Sequence, residues 1–268
     1  MPVLLAEKAD HIATVTLNRP EARNALNPEL VCRLAECWEM LKADDAVRVV
    51  VLTGAAGSTF CAGFDLATSI PLMTGSREPQ DDWEKAFAAD AGLAARATLR
   101  DFDLGKPLIV AANGHAIAGG MEMLLSADLR VVAEAALLGL SEVKLGLIPA
   151  MGGTALLARR VAPALATELL LTGGNISAAR AAEAGFLNRI VPADQVKAAA
   201  MELAQAIAAN APLAVAAARD VIRRSADLDA DEALALEADY LKRLTATEDA
   251  REGPRAFMEK RQPVFRGR

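Results

Sequence analysis

Between Pro107 and Leu129 the chain carries only two charged side chains, Glu122 and Asp128. That stretch holds a continuous apolar run (Pro107–Ala112), a polar turn with Asn113 and His115, and the pair Gly119-Gly120. An apolar segment from Met121 to about Ala127 closes it. A strand without a polar face predicts burial on both sides, as in a parallel sheet covered by helices. The glycines and polar residues inside the stretch argue against a membrane span. A second apolar run, Val47–Thr53, leads into a Gly/Ala/Ser loop from Gly54 to Gly63. Two strand-to-loop turns of one kind predict two loops facing a shared site.

The rest of the chain supports a mixed α/β class. Val3–Ala6 and His11–Leu17 read as a hairpin. Asn27-Pro28 is an N-cap followed by proline at the first helical position, predicting a helix from Pro28 to about Ala43. After a Pro/Gly-marked loop, Asp82 to about Asp103 reads as one helix. Leu129–Val132, Leu137–Gly139 and Phe186–Val191 read as strands. Helices are predicted over Gly152–Val161, Pro163–Leu171, Ser177–Ala184, Ala193–Ala209 and Pro212–Arg224, and from Asp229 through Arg261 with a break. The chain thus divides into a core over residues 1–190 and an Ala-rich helical region over 191–268. Apolar residues at helical spacing in the tail, such as Leu234, Leu236, Tyr240 and Leu241, exceed what one small core face needs. They predict a homo-oligomer built through this region.

Composition excludes several classes. At 268 residues and 53% apolar content the chain can bury a sizeable core. The formal net charge of −6 and 4% aromatics disfavour nucleic-acid binding. Cys32, Cys37 and Cys61 make neither a metal spacing nor a disulfide framework, which suggests a reducing compartment. The first residues, MPVLLAEKAD, show no secretory pattern, so a cytoplasmic location is expected. No phosphate loop, dinucleotide fingerprint, HExxH or Cys/His cluster is present, and no metal or cofactor is expected. A Ser-His-Asp hydrolase would need His11 or His115 as base, and no GxSxG elbow accompanies either.

Three stretches can carry chemistry. In Ala118-Gly119-Gly120-Met121-Glu122, glycines at a strand-to-helix junction leave backbone N–H groups open to an anion or a developing oxyanion. A tight turn alone would also use such a pair. Glu122 sharpens the reading, because its helix is apolar all round and must bury it. A buried carboxylate without a cation in its own segment must find a partner, shift its pKa upward, or face a wet cleft. Thr59-Phe60-Cys61-Ala62-Gly63-Phe64-Asp65-Leu66 is a small-residue loop that a ligand can approach closely, with Asp65 as a cap. Glu142, near Lys144, reads by itself as a solvated carboxylate.

Over essentially the whole length these pieces resemble the enoyl-CoA hydratase/isomerase (crotonase) family. The resemblance rests on Asn18-Arg19-Pro20 through Asn24-Ala25-Leu26, Phe60 through Leu66, Asn113-Gly114-His115 through Glu122, Leu147-Ile148-Pro149 with Gly152-Gly153-Thr154, and the tail around Glu252-Gly253, Phe257 and Lys260-Arg261. It implies a spiral of β-β-α units with C-terminal helices that build trimers, often paired into hexamers. It implies an oxyanion hole from the N–H groups of Phe64 and Gly119, with Glu122 and Glu142 as the catalytic carboxylates. Arg23, Ala25, Ala62, Asp65, Leu66, Ala67 and Lys260 would contact CoA, Lys260 from the C-terminal helices and in some arrangements across to a neighbouring subunit. Ala67 stands where several hydratases have a lysine, and the span from Asp65 to Lys106 is longer than in short-chain hydratases. The expected activity is reversible hydration of a 2-enoyl-CoA, with CoA as part of the substrate. An isomerase or a hydroxyacyl-CoA (carnitinyl-type) dehydratase is the alternative within the family, and a non-catalytic acyl-CoA- or RNA-binding scaffold the alternative outside it.

Overall fold

The computed structural model describes residues 1–57 and 59–268. It opens on the hairpin β1 (Leu4–Ala9) and β2 (Ile12–Leu17), paired antiparallel with Leu4 opposite Leu17. Helix α1 (Pro28–Ala43) begins where Asn27 accepts a hydrogen bond from Leu30 N, and it buries Leu30, Leu34, Trp38 and Leu41. Strand β3 (Val49–Gly54) is buried at every position and lies parallel to β2. Beyond it, β4 (Thr59–Cys61) turns into a second sheet.

The next segment departs from the expected single helix. It folds as α2 (Ser69–Met73), α3 (Asp82–Ala89) and α4 (Leu93–Ala97). The break falls at Asp90, whose Oδ1 accepts from Gly92 N at 2.9 Å and whose carboxylate pairs with Arg96. A short acidic side chain bonding its own downstream backbone competes with the helical ladder.

Strand, strand and helix then repeat. β5 (Leu108–Ala112) joins the first sheet, β6 (His115–Ile117) the second, and α5 (Gly119–Ser126) returns the chain. β7 (Leu129–Ala133) and β8 (Leu137–Gly139) take the same two places. A turn of 3-10 helix (Glu142–Leu145), α6 (Gly153–Leu157) and α7 (Pro163–Thr172) follow. β9 (Asn175–Ser177), α8 (Ala178–Glu183) and β10 (Arg189–Val191) complete the sheets. Their orders are β1-β2-β3-β5-β7-β10 and β4-β6-β8-β9. Successive units donate one strand to each sheet, which is a spiral of β-β-α turns and matches the expected fold class.

α9 (Val196–Ala208) follows the expected boundary near residue 190, yet it lies against the large sheet and buries Val196, Ala199, Ala200, Ala204 and Ala208. α10 (Pro212–Ser225) is tied to the core by ion pairs. Arg219 bonds Asp128 and Asp103, both at 2.8 Å, and Arg223 bonds Asp103 at 2.6 Å. α11 (Ala230–Leu244) and α12 (Glu248–Met258) extend beyond it. No single helix among the described residues is long and apolar enough to cross a bilayer.

Candidate active site

Strands β4 and β6 are parallel neighbours, with Thr59 opposite His115, so the loops that leave them emerge side by side. Gly63 makes their contact possible. Its φ is +90°, and a Cβ there would stand 2.6 Å from Ala118 Cβ and 3.1 Å from Gly119 N. Only a residue without a side chain permits that approach.

The backbone then orients Phe64. Leu26 N donates to Gly63 O at 2.8 Å, and Asp65 N donates to Leu26 O at 3.1 Å. In a parallel bridge of this kind the central residue's own N–H and C=O point to the opposite side. Gly119 is close by, since its N lies 3.1 Å from where a Gly63 Cβ would be and the Phe64 ring edge lies 3.4 Å from where a Gly119 Cβ would be. Gly119 opens α5, so its N–H lacks an intrahelical acceptor. The residue before it, Ala118, is held at φ 52°, ψ −122°, far from the basins of an ordinary side-chain-bearing residue. Hydrogen bonds from Ala118 N to Gly139 O (2.9 Å) and from Glu122 N to Ala118 O (3.0 Å) hold it there. Backbone strain of about 1–3 kcal/mol at such a junction is tolerated when surrounding contacts over-determine it. Phe64 and Gly119 thus lie side by side where the two loops meet.

One turn along α5 lies Glu122, 2% exposed. Its Oε1 accepts from Gly153 N at 3.0 Å. Gly153 must be glycine, because a Cβ would meet Pro149 Cβ at 2.4 Å and Glu122 Oε1 at 3.0 Å. Burial is the main cause that raises the Glu122 pKa to about 7, with the negative Glu142 adding to it. The Gly153 and Met151 amides and the Arg100 guanidinium oppose the rise. Glu142 enters from the other side, in the 3-10 turn after β8. Burial raises its pKa as well, and its Oε2 is enclosed without a hydrogen-bond partner. The sequence reading of Glu142 as a solvated carboxylate therefore gives way to a half-buried one coupled to Glu122. Burial pushes both carboxylates toward the neutral form, and the charge of Glu142 adds to the rise at Glu122.

Six of the expected CoA contacts lie close together. Arg23 is exposed in a left-handed conformation, and Ala62 N donates to its carbonyl at 3.1 Å. Asp65 is clasped by Arg19 at 3.3 Å, and its Oδ1 accepts from Ala67 N at 3.0 Å. Arg19 also donates to Ala25 O. Arg23, Ala25, Ala62, Asp65, Leu66 and Ala67 thus share one rim, with Leu66 61% exposed. Lys260 is exposed just past α12, where its N–H donates to Phe257 O at 3.2 Å. Further along the tail, Arg48 donates to Phe265 O at 2.7 Å. Arg19, Arg100 and the Gly153 amide were not singled out as functional in the sequence. Gly153 lay within a quoted motif, but a backbone N–H has no side-chain signature, and the partners of Arg19 are set by the fold.

The whole-chain comparisons agree with this geometry. A family model described as enoyl-CoA hydratase/isomerase matches residues 7–268. The chain belongs to that family. It is 41% identical over 268 residues to "Enoyl-CoA hydratase EchA19" of Mycobacterium tuberculosis, covering 100% of this chain and 97% of that protein. It is 37% identical over 262 residues to "Carnitinyl-CoA dehydratase" of Proteus mirabilis, covering 96% and 95%. A crystal structure of an enoyl-CoA hydratase from M. tuberculosis H37Rv superposes with a TM-score of 0.86 at 38% identity, covering 100% of both chains. Among the described residues no group of three or more His, Cys, Asp or Glu side chains is placed to hold a metal ion.

Proposed function

We propose that this family member hydrates a 2-trans-enoyl-CoA to a 3-hydroxyacyl-CoA, reversibly, as a hydro-lyase. The observation that carries the reading is the pair of desolvated carboxylates, Glu122 and Glu142, beside two convergent backbone amides. Double-bond migration needs one base, whereas adding water across C2 and C3 needs a base and an acid at once.

The thioester oxygen accepts hydrogen bonds from the Phe64 and Gly119 amides, which stabilise the enolate by roughly 2.7–4 kcal/mol each. Glu122 is the base, because the Gly153 N–H favours its anion. With Glu122 as the base, Glu142 across the site is left as the acid. Glu122 takes a proton from water as the oxygen attacks C3, and Glu142 delivers its proton to C2. The reverse sequence dehydrates a hydroxyacyl-CoA, and the carnitinyl-type dehydratase relative supports that direction as a second reading. The CoA moiety is carried as part of the substrate along the Arg23–Ala67 rim. A contact from Lys260 would be made to a neighbouring copy. Exposed Leu234, Leu241, Phe257 and Met258 support a homotrimer or dimer of trimers. The three free thiols suit a cytoplasmic setting.

The test is loss of the enoyl absorbance of crotonyl-CoA in Glu122→Gln, Glu142→Gln and the double variant. Each single change should cut the hydration rate at least about 10²-fold, and the double should be little worse than the poorer single. Near-normal hydration in Glu142→Gln with a dead Glu122→Gln would replace the hydratase by a one-base isomerase. Activity kept by both would remove the site altogether.

A further inference from the structure

The segment between Asp65 and Lys106 reaches the carboxylate pair through one side chain. Helix α4 ends in a two-bond cap in which Leu99 N donates to Arg96 O at 3.0 Å and Arg100 N to Ala95 O at 2.9 Å. This cap needs a left-handed residue, usually glycine, at the position of Leu99. Leu99 adopts φ 61° nonetheless, with its side chain buried. Trp38 Nε1, donating to Ala97 O at 2.9 Å, pins the same helix end to α1. A leucine is strained in that conformation where glycine would not be. What it fixes is the direction of Arg100.

Arg100 lies across the loop that leads into α6. Its Nη1 donates to Ala150 O at 2.6 Å, and its Cγ lies 3.6 Å from where a Gly152 Cβ would be. Its remaining edge is engaged by Asp101, with Nε donating to Oδ1 at 2.8 Å. The loop that it grips supplies the Gly153 N–H that bonds Glu122.

We propose that Arg100 is a positioning residue that clamps the Pro149–Gly153 loop so that the Gly153 amide faces Glu122. The proposal rests on the hydratase reading of the carboxylate pair. The Arg100 guanidinium favours the ionised form of Glu122, and Glu122 favours the charged form of Arg100 in return. Among the other groups around α5, Arg130 on β7 is a second buried cation, but it is occupied at the C-terminal end of the helix, donating to Leu124 O at 2.6 Å and Ala127 O at 2.7 Å. Glu142 is the second carboxylate, Cys61 on β4 is held neutral with its pKa pushed up to about 12, and α6 carries no ionisable side chain. His115 on β6 is engaged by the Leu137 amide, which donates to its Nδ1 at 2.9 Å. Asp101 pairs with Arg100 from the solvent side and tempers its charge.

The pair titrates as a unit, so its two macroscopic steps bound the pH range of hydration. Removing a nearby cation raises both steps, and removing the anion that tempers it lowers both. The experiment measures kcat/KM for crotonyl-CoA hydration from about pH 5 to 9 in full-length wild type, Arg100→Gln, Arg100→Lys and Asp101→Asn. Arg100→Gln should move both limbs upward by about half a pH unit. It should lower kcat at neutral pH roughly 5- to 50-fold, with a smaller change in KM, because the loop loses its anchor. Arg100→Lys should restore the limbs but only part of kcat, since one ammonium cannot reproduce the fork. Asp101→Asn should move the limbs downward.

Unmoved limbs in Arg100→Gln would overturn the proposal, as would an upward shift in Asp101→Asn. If Arg100→Gln does not fold, the opposite responses of Arg100→Lys and Asp101→Asn carry the test. Glu122→Gln, assayed alongside, separates the two levels. An active Glu122→Gln defeats the hydratase reading, whereas an inactive one with unmoved Arg100→Gln limbs defeats only the role of Arg100.

Discussion

Helices α5 and α11 use apolar residues to opposite ends. α5 buries seven of its eight residues, Gly119 through Leu125. α11, with fifteen residues, buries none, and Leu234 and Leu241 are each 62% exposed. Their N-termini differ in the same sense. α11 starts in a full capping box, in which Asp229 accepts from Glu232 N and the Glu232 side chain accepts from Asp229 N. α5 has no side-chain cap and starts on the strained Ala118. The helix that stands outside the core satisfies its own amides. The helix buried at the site leaves the Gly119 amide open for a ligand and relies on tertiary contacts for stability.

If that contrast is right, α5 fails through crowding and α11 through its cap. Gly120→Ala would place a Cβ 2.3 Å from Cys61 O, a backbone atom that cannot move aside. It should cost about 3 kcal/mol or prevent folding, whereas Asp229→Ala should cost about 1 kcal/mol. Chemical denaturation of the two variants reads the difference, and equal losses would erase the distinction.

Charge burial sharpens it further. The Glu122 pKa is raised to about 7 in the fold, above its unfolded value. The folded state therefore binds more protons than the unfolded state between roughly pH 4.5 and 7, and stability falls as pH rises through that window. Glu122→Gln escapes the penalty. Its stability relative to wild type should improve by about 2 kcal/mol between about pH 5 and pH 8, seen as a rising difference in Tm. A flat difference would mean that Glu122 is already solvated.

The smallest effect on folding belongs to the exposed face. Leu234→Lys with Leu241→Lys should change the stability of the single chain by only about 0.5 kcal/mol. The same pair should lower the molar mass in light scattering if α11 is an assembly surface. An unchanged mass would move the assembly surface elsewhere.

Local order was legible wherever a short window contained its own cause. The hairpin, α1 with its Asn27 cap, and β3 and β5 stood where periodicity and capping put them, because each depends on residues a few positions apart. The apolar surroundings of Glu122 likewise forced its burial from sequence alone. Strands β4, β6 and β9 escaped because they lie inside Gly-rich loops or at the start of a predicted helix, and the predicted helix over 82–103 ignored the local competition from Asp90.

The sequence by itself determined which segments must be buried, where most helices start, and that one carboxylate sits in an apolar helix. The resemblance of its motifs added the second carboxylate and the two amides. Tertiary structure alone decided what those groups meet. The Gly153 amide reaches Glu122 across 31 positions, Arg19 clasps Asp65 across 46, and Arg100 grips Ala150 across 50. Arg48 holds the tail through Phe265 O, 217 positions away. Such pairings depend on the path of the whole spiral, because hydrogen bonds and ion pairs act over a few ångströms of space and leave no spacing in the sequence that encodes them.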